Sequence, residues 1–120
     1  MSHLALVVED EAPLRTLYDI VLKGLNFEVL HAADGQQAID ILEEQSPQVI
    51  LLDILLPKVN GSVVLDYLHM TPHLQSTPII IVSAHAEFSR LSNSALFLLK
   101  PVRPDDIKRA VTQMLTVPLA

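Results

Sequence analysis

Short apolar runs alternate with amphipathic stretches along the whole of this 120-residue chain. The apolar runs predict five β-strands, at Leu4–Val8, Glu28–His31, Val49–Leu52, Ile79–Val82 and Leu96–Leu99. The stretches that follow them have helical spacing and predict five helices, at Pro13–Leu25, Gln36–Gln45, Ser62–Met70, Glu87–Leu91 and Pro104–Leu115. Strands that alternate with helices form a parallel sheet, and right-handed crossovers place the helices on both of its faces. The pattern therefore predicts a doubly wound α/β fold.

The pattern indicates a single domain. The length suits one domain with one core, and the chain contains no internal repeat and no low-complexity linker. We therefore assign residues 1–120 to one domain. The weakest element is the fourth helix, because the sixteen residues between Ser83 and Lys100 must supply a loop, a helix, a turn and a strand. We expect this helix to be short and mobile.

Polar residues follow four of the apolar runs. They are Glu9 and Asp10, Asp53, Ser83 and Lys100. In open α/β sheets the carboxyl ends of the strands meet at one edge, where ligands bind, so we expect these side chains to converge. Taken singly, an acid or a serine after a strand is usually a loop residue or a helix cap. Their joint placement favours a functional site.

The expected cluster has the groups that phosphoryl transfer needs. Carboxylates about 4 Å apart repel unless a cation offsets them, and oxygen-only ligands favour Mg²⁺ over zinc. Asp53 lies between two apolar runs and is the candidate nucleophile, which would form an aspartyl phosphate. Lys100 can neutralise charge on the transferring group, and Ser83 can donate a hydrogen bond to it.

Composition narrows the class of protein. Half of the residues are hydrophobic, and the net charge is −6 with only eight Lys and Arg residues, which are scattered. This argues against direct binding to nucleic acid or to a membrane surface. The absence of cysteine excludes disulfides and a thiolate zinc site. No apolar stretch reaches the roughly 18 residues that span a bilayer, and no signal peptide is evident, so we expect a cytoplasmic protein.

Four short motifs occur in an order and at a spacing that are highly specific for one protein family. They are VVEDE at residues 7–11, LLDILLPKVNG at 51–61, VSA at 82–84 and LKP at 99–101. Through them the chain resembles, over nearly its full length, the receiver domain of bacterial response regulators in two-component systems. The resemblance implies a flavodoxin-like (βα)₅ fold with strand order 2-1-3-4-5. It also implies a phosphorelay, in which a sensor histidine kinase or a histidine-phosphotransfer protein phosphorylates an aspartate and thereby switches binding to a downstream protein.

The resemblance assigns a metal site within the expected cluster. Asp53 matches the phospho-acceptor of the family. Asp10 and Asp53 match direct ligands of Mg²⁺, and the backbone carbonyl of Leu55 matches the third protein ligand. Glu9 matches an acid that holds the ion through a water molecule.

The resemblance also assigns residues that respond to phosphorylation. Ser83 matches the hydroxyl residue that contacts the phosphoryl group, and Lys100 matches the lysine that binds it. Phe97 matches an aromatic switch residue, whose ring turns inward when the hydroxyl moves toward the phosphate; a plain core phenylalanine is the alternative. The bond between Lys100 and Pro101 is commonly cis in such domains.

Three features depart from the family. The stretch between Ser83 and Lys100 is about five residues short, which puts the usual dimer in doubt: either another face carries the signal or the fourth helix becomes ordered on phosphorylation. Leu55 stands at the rim of the expected pocket, where its bulk should hinder an attacking water and lengthen the phosphoryl lifetime. His85, also at the rim, can orient water, contact the phosphate or be an ordinary exposed histidine.

Two functions stay open on this evidence. The first is a phosphorylation-dependent signalling domain, which is not an enzyme in its own right but assists its own phosphorylation and dephosphorylation. The alternative is a receiver-like docking module with a vestigial pocket. A phosphatase or mutase is set aside because Leu55 stands where those enzymes usually place a second aspartate. A flavin binder is set aside because the acidic residues 9–11 repel phosphate unless a metal intervenes.

Overall fold

The computed structural model of the protein describes residues 3–91 and 96–115. Within them the strands are β1 His3–Val8, β2 Phe27–Ala32, β3 Val49–Asp53, β4 Ile79–Ser83 and β5 Leu96–Leu99. The α-helices are α1 Ala12–Gly24, α2 Gly35–Leu42, α3 Gly61–Met70 and α4 Pro104–Leu115, and two 3₁₀ helices lie at Pro72–Leu74 and Ala86–Leu91. Each strand that the sequence predicts is present, within one residue at either end.

The strands form one parallel sheet in the order β2-β1-β3-β4-β5. This confirms the α/β fold predicted from the pattern and the strand order implied by the resemblance. The chain leaves β1 toward β2 on one side and continues through β3 on the other, so the direction of winding reverses at β1. The crevice beyond the carboxyl ends of β1 and β3 is where open α/β sheets bind their ligands.

Alternate residues of the strands face two separate cores. Leu6 and Ile50 pack in the core that includes buried residues of α2 and α3, whereas Val7 and Leu51 pack in the core shared with α1 and α4. These four side chains are at most 1% exposed. Burial on both faces makes the central strands a rigid support, so the residues at their carboxyl ends are held in fixed positions.

The second helix is shorter than the sequence pattern predicts. The prediction extends over Gln36–Gln45, but α2 ends at Leu42. The backbone N–H groups of residues 44 and 45 both donate to the carbonyl of Ile41, at 3.1 and 2.9 Å, so the regular hydrogen-bond ladder stops there. Pro47 follows, and the residue before a proline is disfavoured in helical conformation. The predicted end was therefore wrong by three residues.

The fourth helical stretch is a single 3₁₀ helix. It covers Ala86–Leu91, against the predicted Glu87–Leu91, and none of its residues is buried. Its shortness confirms the expectation drawn from the small number of residues before β5. The expected turn into β5 falls on residues 92–95, outside the described residues, and the mobility of the helix stays a prediction.

Candidate functional site

The carboxyl ends of four strands bring the predicted polar residues together. Asp53 is the last residue of β3, Ser83 is the last residue of β4, and Lys100 directly follows β5. Glu9 and Asp10 directly follow β1. The residues that line a cleft of about 210 Å³ at this edge of the sheet are Asp10, Glu11, Asp53, Leu55, Ser83, Ala84, His85 and Lys100.

Lys100 joins the two buried carboxylates. Its Nζ donates hydrogen bonds to Glu9 Oε1 at 2.9 Å and to Asp53 Oδ2 at 3.0 Å. Glu11 Oε2 lies 3.9 Å from the same ammonium group. Burial by itself lowers the pKa of Lys100, but the hydrogen bonds to Glu9 and Asp53 outweigh it and raise the pKa above its ordinary value. The lysine is therefore a permanent positive charge beside the candidate acceptor.

Glu9 is held in a dry environment. It is 1% exposed, and its second carboxylate oxygen accepts the backbone N–H of Glu11 at 3.2 Å. Burial raises the pKa of Glu9 to about 7; the hydrogen bond from Lys100 opposes this shift, and the negative charge of Asp53 adds to it. A further positive charge nearby would therefore stabilise the ionised form of this carboxyl group.

Glu9, Asp10 and Asp53 together fit a hard divalent cation. Each offers a carboxylate oxygen, and the three oxygens lie within 4.8 Å of one another. Asp10 is exposed whereas Glu9 and Asp53 are buried, so the cluster opens to solvent on one side. Oxygen donors, a small number of carboxylates and access for water are the conditions that Mg²⁺ prefers. The donor set therefore fits the ion implied by the resemblance.

Arg15, on α1, supports the acidic turn and was missed by the sequence analysis. Its Nη1 donates to the backbone carbonyls of Glu9 at 2.9 Å and Asp10 at 3.0 Å. These hydrogen bonds fix the turn that presents both acids and add positive charge beside it. The sequence carries no signal for this contact, because both acceptors are backbone carbonyls.

Gly61 packs directly on the backbone of the candidate acceptor, and this too was missed. A Cβ at this position would lie 2.2 Å from the carbonyl oxygen of Asp53 and 2.6 Å from Cα of Ile54. The N–H of Gly61 donates to the carbonyl of Ile54 at 2.7 Å. Close approach of the backbone is therefore the physical reason for glycine at this position.

Ser83 and Lys100 are tied to each other as well as to the cleft. The backbone N–H of Lys100 donates to the carbonyl of Ser83 at 2.8 Å, which keeps the ends of β4 and β5 in register. Ser83 is 1% exposed, and its Oγ accepts the backbone N–H of His85 at 3.1 Å. The peptide bond between Lys100 and Pro101 is cis, as the resemblance implied.

Phe97 and His85 lie at the positions expected for them, but their roles stay predictions. Phe97 is partly buried and packs against the core that contains α2 and α3. His85 is exposed at the rim, and its ring meets the ring of Phe88 edge-on, with centroids 6.0 Å apart. This ring contact is a packing role that does not depend on chemistry in the cleft.

Comparison with known proteins finds relatives by sequence and by structure. A family model described as the response regulator receiver domain matches residues 5–112. The DNA-binding response regulator MtrA of Mycolicibacterium paratuberculosis is 30% identical over 112 residues, which are 89% of this chain and 48% of MtrA. The solved structure of the bacteriophytochrome response regulator RtBRR is 30% identical, with a TM-score of 0.85 over 96% of this chain and 79% of that one.

A more distant structure shows the same fold. The chemotaxis response regulator CheY4 of Vibrio cholerae is 22% identical, with a TM-score of 0.86 over 96% of this chain and all of that one. The chain spans about half the length of the curated relatives that it matches. Among the described residues, no helix is both long and apolar enough to cross a membrane.

Proposed function

The chain belongs to the response regulator receiver domain family, and from this membership and the cleft geometry we propose that Asp53 accepts a phosphoryl group in a Mg²⁺-dependent reaction. The observation that carries the proposal is the position of Lys100, whose ammonium lies 3.0 Å from the Asp53 carboxylate and 2.9 Å from Glu9. A nucleophile, a fixed cation and a cluster of carboxylate oxygens at one sheet edge are the parts that phosphoryl transfer to a carboxylate requires.

The acidic residues would hold Mg²⁺. Asp10, Asp53 and the backbone carbonyl of Leu55 are the proposed direct ligands, and Glu9 would bind through water. When bound, the ion supplies positive charge against the oxygens of the transferring group. Glu9, whose pKa is raised to about 7 mainly by burial, gains a partner for its ionised form in that state.

The chemical step is a nucleophilic displacement on phosphorus. An oxygen of Asp53 forms a bond to the phosphorus of a phosphohistidine on the donor protein, and the bond from phosphorus to the imidazole nitrogen breaks. The imidazole leaves as the nucleophile arrives and takes up a proton. Lys100 stabilises negative charge on the phosphoryl oxygens, and the Ser83 hydroxyl donates to one of them.

Phosphorylation would act on the elements that meet the cleft. A phosphoryl group adds charge and strong hydrogen-bond acceptors beside Ser83, which ends β4 and lies three positions before the start of the 3₁₀ helix Ala86–Leu91. Movement of Ser83 toward it would vacate space for Phe97, as the family resemblance suggests. The proposed partners are a histidine kinase or histidine-phosphotransfer protein and a downstream protein; we expect no direct contact between this acidic domain and nucleic acid.

Chemical phosphorylation tests the proposal without a cognate kinase. The protein is incubated with phosphoramidate and either MgCl₂ or EDTA, and the intact mass is measured for the wild type, Asp53→Asn and the control Asp66→Asn, which changes an exposed acid on α3. We expect one added phosphoryl group in the wild type and the control with Mg²⁺, and none with EDTA or in Asp53→Asn. No labelling of the wild type would favour the docking module, and labelling of Asp53→Asn would reject the proposed acceptor.

A further inference from the structure

The loop between β3 and α3 rests against the start of α2. We call residues 54–60 the β3–α3 loop; it carries Leu55 near its beginning and Val59 near its end. Two contacts with α2 hold the far end of this loop, one through Gly35 and one between Lys58 and Asp34.

Gly35 leaves no room between the helix and the loop. It is the first residue of α2, and a Cβ there would lie 2.0 Å from the carbonyl oxygen of Val59 and 2.7 Å from its carbonyl carbon. Its φ is not in the left-handed region, so helical geometry alone does not require glycine. The close approach of the loop backbone is therefore the physical reason for glycine at this position.

An ion pair joins the same two segments. Lys58 Nζ lies 3.7 Å from Asp34 Oδ2, and the other oxygen of Asp34 accepts the backbone N–H of Gln37 at 2.8 Å, which caps α2. Asp34 is 4% exposed, whereas the Lys58 side chain is 73% exposed. Lys58 has a φ of 64°, a left-handed conformation that is unfavourable for lysine and persists because the surrounding structure holds it.

We propose that the start of α2 is a latch that positions the β3–α3 loop for cation binding. Gly35, Asp34 and Lys58 act as positioning residues: they fix the far end of the loop, while Gly61 fixes the loop where it leaves Asp53. The backbone carbonyl of Leu55 lies between these two fixed points. The inference rests on the proposed function, because the Leu55 carbonyl matters only as a ligand of Mg²⁺.

The latch acts by restricting the loop before the ion arrives. A carbonyl ligand must lie within a few tenths of an ångström of its place in the coordination shell. A loop that is already held there loses less conformational freedom on binding, which improves affinity without adding a new contact. Releasing the latch should therefore weaken Mg²⁺ binding while leaving the metal ligands unchanged.

A double-mutant cycle on the ion pair tests the latch. Asp34→Asn keeps a side-chain oxygen for the cap and removes the charge, and Lys58→Asn removes the charge while tolerating the left-handed conformation. Mg²⁺ dissociation constants are measured by NMR titration, with Lys108→Gln, at an exposed lysine on α4, as the control. We expect each single variant to weaken Mg²⁺ binding about two- to fivefold. The double variant should bind Mg²⁺ no more weakly than the weaker-binding of the two single variants, because both substitutions break the same ion pair.

The sign of the Lys58→Asn effect separates the latch from a simple field effect. If Lys58 acted only through its charge, its removal would tighten binding of a dication; tighter or unchanged binding, with Mg²⁺ still binding the wild type, would overturn the latch and leave the proposed function intact. Failure of the wild type to bind Mg²⁺ at all would reject the proposed function and the latch with it.

Substitution of two glycines gives a second, independent test of the latch. Gly35→Ala improves helix propensity but forces the loop away, so we expect Mg²⁺ binding at least about tenfold weaker. Gly24→Ala, at the end of α1, is the matched control because a Cβ there meets nothing within 4 Å. Faster amide exchange of residues 54–60 in Gly35→Ala, without Mg²⁺, is the second expected readout. Unchanged affinity and exchange in a folded Gly35→Ala would contradict the latch, and if that variant does not fold the ion-pair cycle decides.

Discussion

At the scale of single residues, Lys100 links the two buried acids of the cleft. Its side chain is only 14% exposed, and it contacts Glu9 and Asp53 within 3.0 Å. In the proposed reaction, the same charge that would help a phosphoryl group bind at Asp53 would compete with a cation for the carboxylates. We therefore expect the proposed Mg²⁺ binding and the proposed chemical step to depend on Lys100 in opposite directions.

Lys100→Met should separate these two effects. Loss of the ammonium leaves the acids less neutralised, so we expect Mg²⁺ to bind several-fold more tightly. The rate of labelling by phosphoramidate should fall about a hundredfold, since a group that stabilises transferring charge is gone. The two quantities are measured by titration and by mass spectrometry, with Lys108→Met as control. A labelling rate equal to that of the wild type would contradict the role of Lys100.

Tyr18 is a buried residue whose hydroxyl has no hydrogen-bond partner among the described residues. It is 2% exposed and packs in the core shared by α1 and α4. An unpartnered buried hydroxyl is destabilising, so Tyr18→Phe should raise the free energy of unfolding at pH 7 by about 1 kcal/mol. Urea denaturation measures the change, and Tyr67→Phe is the control. A loss of stability in Tyr18→Phe would show that the hydroxyl has a stabilising partner.

The same tyrosine predicts a pH dependence. Burial raises the pKa of Tyr18 to about 12, and the negative charge of Glu9 adds to the shift. Between pH 10 and 12 the folded protein holds a proton that the unfolded chain releases, so the free energy of unfolding falls as pH rises. The free energy of unfolding of Tyr18→Phe should therefore exceed that of the wild type by roughly 1 kcal/mol more at pH 11 than at pH 7. An advantage that does not grow with pH would contradict this prediction.

Leu55 is exposed at the rim of the cleft, two residues after Asp53. Its apolar side chain offers no hydrogen bond to orient a water molecule for attack on phosphorus. Leu55→Asn should therefore shorten the half-life of the phosphorylated form several-fold, measured by the decay of the added mass after removal of the donor. Val63→Asn, at an exposed apolar residue on α3, is the control. An unchanged half-life in Leu55→Asn would show that Leu55 does not slow the hydrolysis of the phosphoryl group.

Whether a residue of the site could be predicted from the sequence depended on where it lies relative to the strands. Asp53, Ser83 and Lys100 were predictable because each ends or follows an apolar strand, and parallel strands end at one edge. Arg15 and Gly61 were not, because their contacts are with backbone carbonyls, whose positions depend on the turns. Neither side-chain type carries a signal for such a contact in the sequence.

At the scale of elements, the 3₁₀ helix Ala86–Leu91 differs from every other described helix, each of which has at least one buried residue. It buries no residue and directly follows Ser83 and its neighbours at the cleft. We expect its amides to exchange faster than those of α4, and to become protected when beryllofluoride and Mg²⁺ mimic the phosphorylated state. Hydrogen exchange measured by mass spectrometry checks this. Protection that does not change would show that the signal leaves through another element.

The bounds of an element were predictable where its apolar spacing and the residues that start or end helices indicate the same limits. Pro104–Leu115 was predicted with its observed bounds, because a proline opens it and its apolar spacing matches the core. The end of α2 was not, since the good helix formers Glu43, Glu44 and Gln45 follow Leu42, while the backbone N–H groups of residues 44 and 45 both donate to the carbonyl of Ile41. Local turn geometry of this kind is absent from the hydrophobic pattern.

At the scale of the whole molecule, alternation of strands and helices was sufficient to predict a parallel sheet with helices on both faces. The strand order was not contained in that pattern and came from the resemblance to receiver domains. The order matters because it places β1 beside β3. This neighbourhood brings Glu9 and Asp10 to Asp53, and it turns scattered acids into one cluster.

The most direct test of the account is the chemical identity of the phosphorylated residue. The protein is phosphorylated with phosphoramidate and Mg²⁺ and reduced with borohydride, which converts an aspartyl phosphate to homoserine, and its peptides are sequenced by mass spectrometry. We predict homoserine at position 53 alone, and none when EDTA replaces Mg²⁺. Homoserine at another acid, or aspartate unchanged at position 53 in protein that carries the phosphoryl mass, would contradict the account.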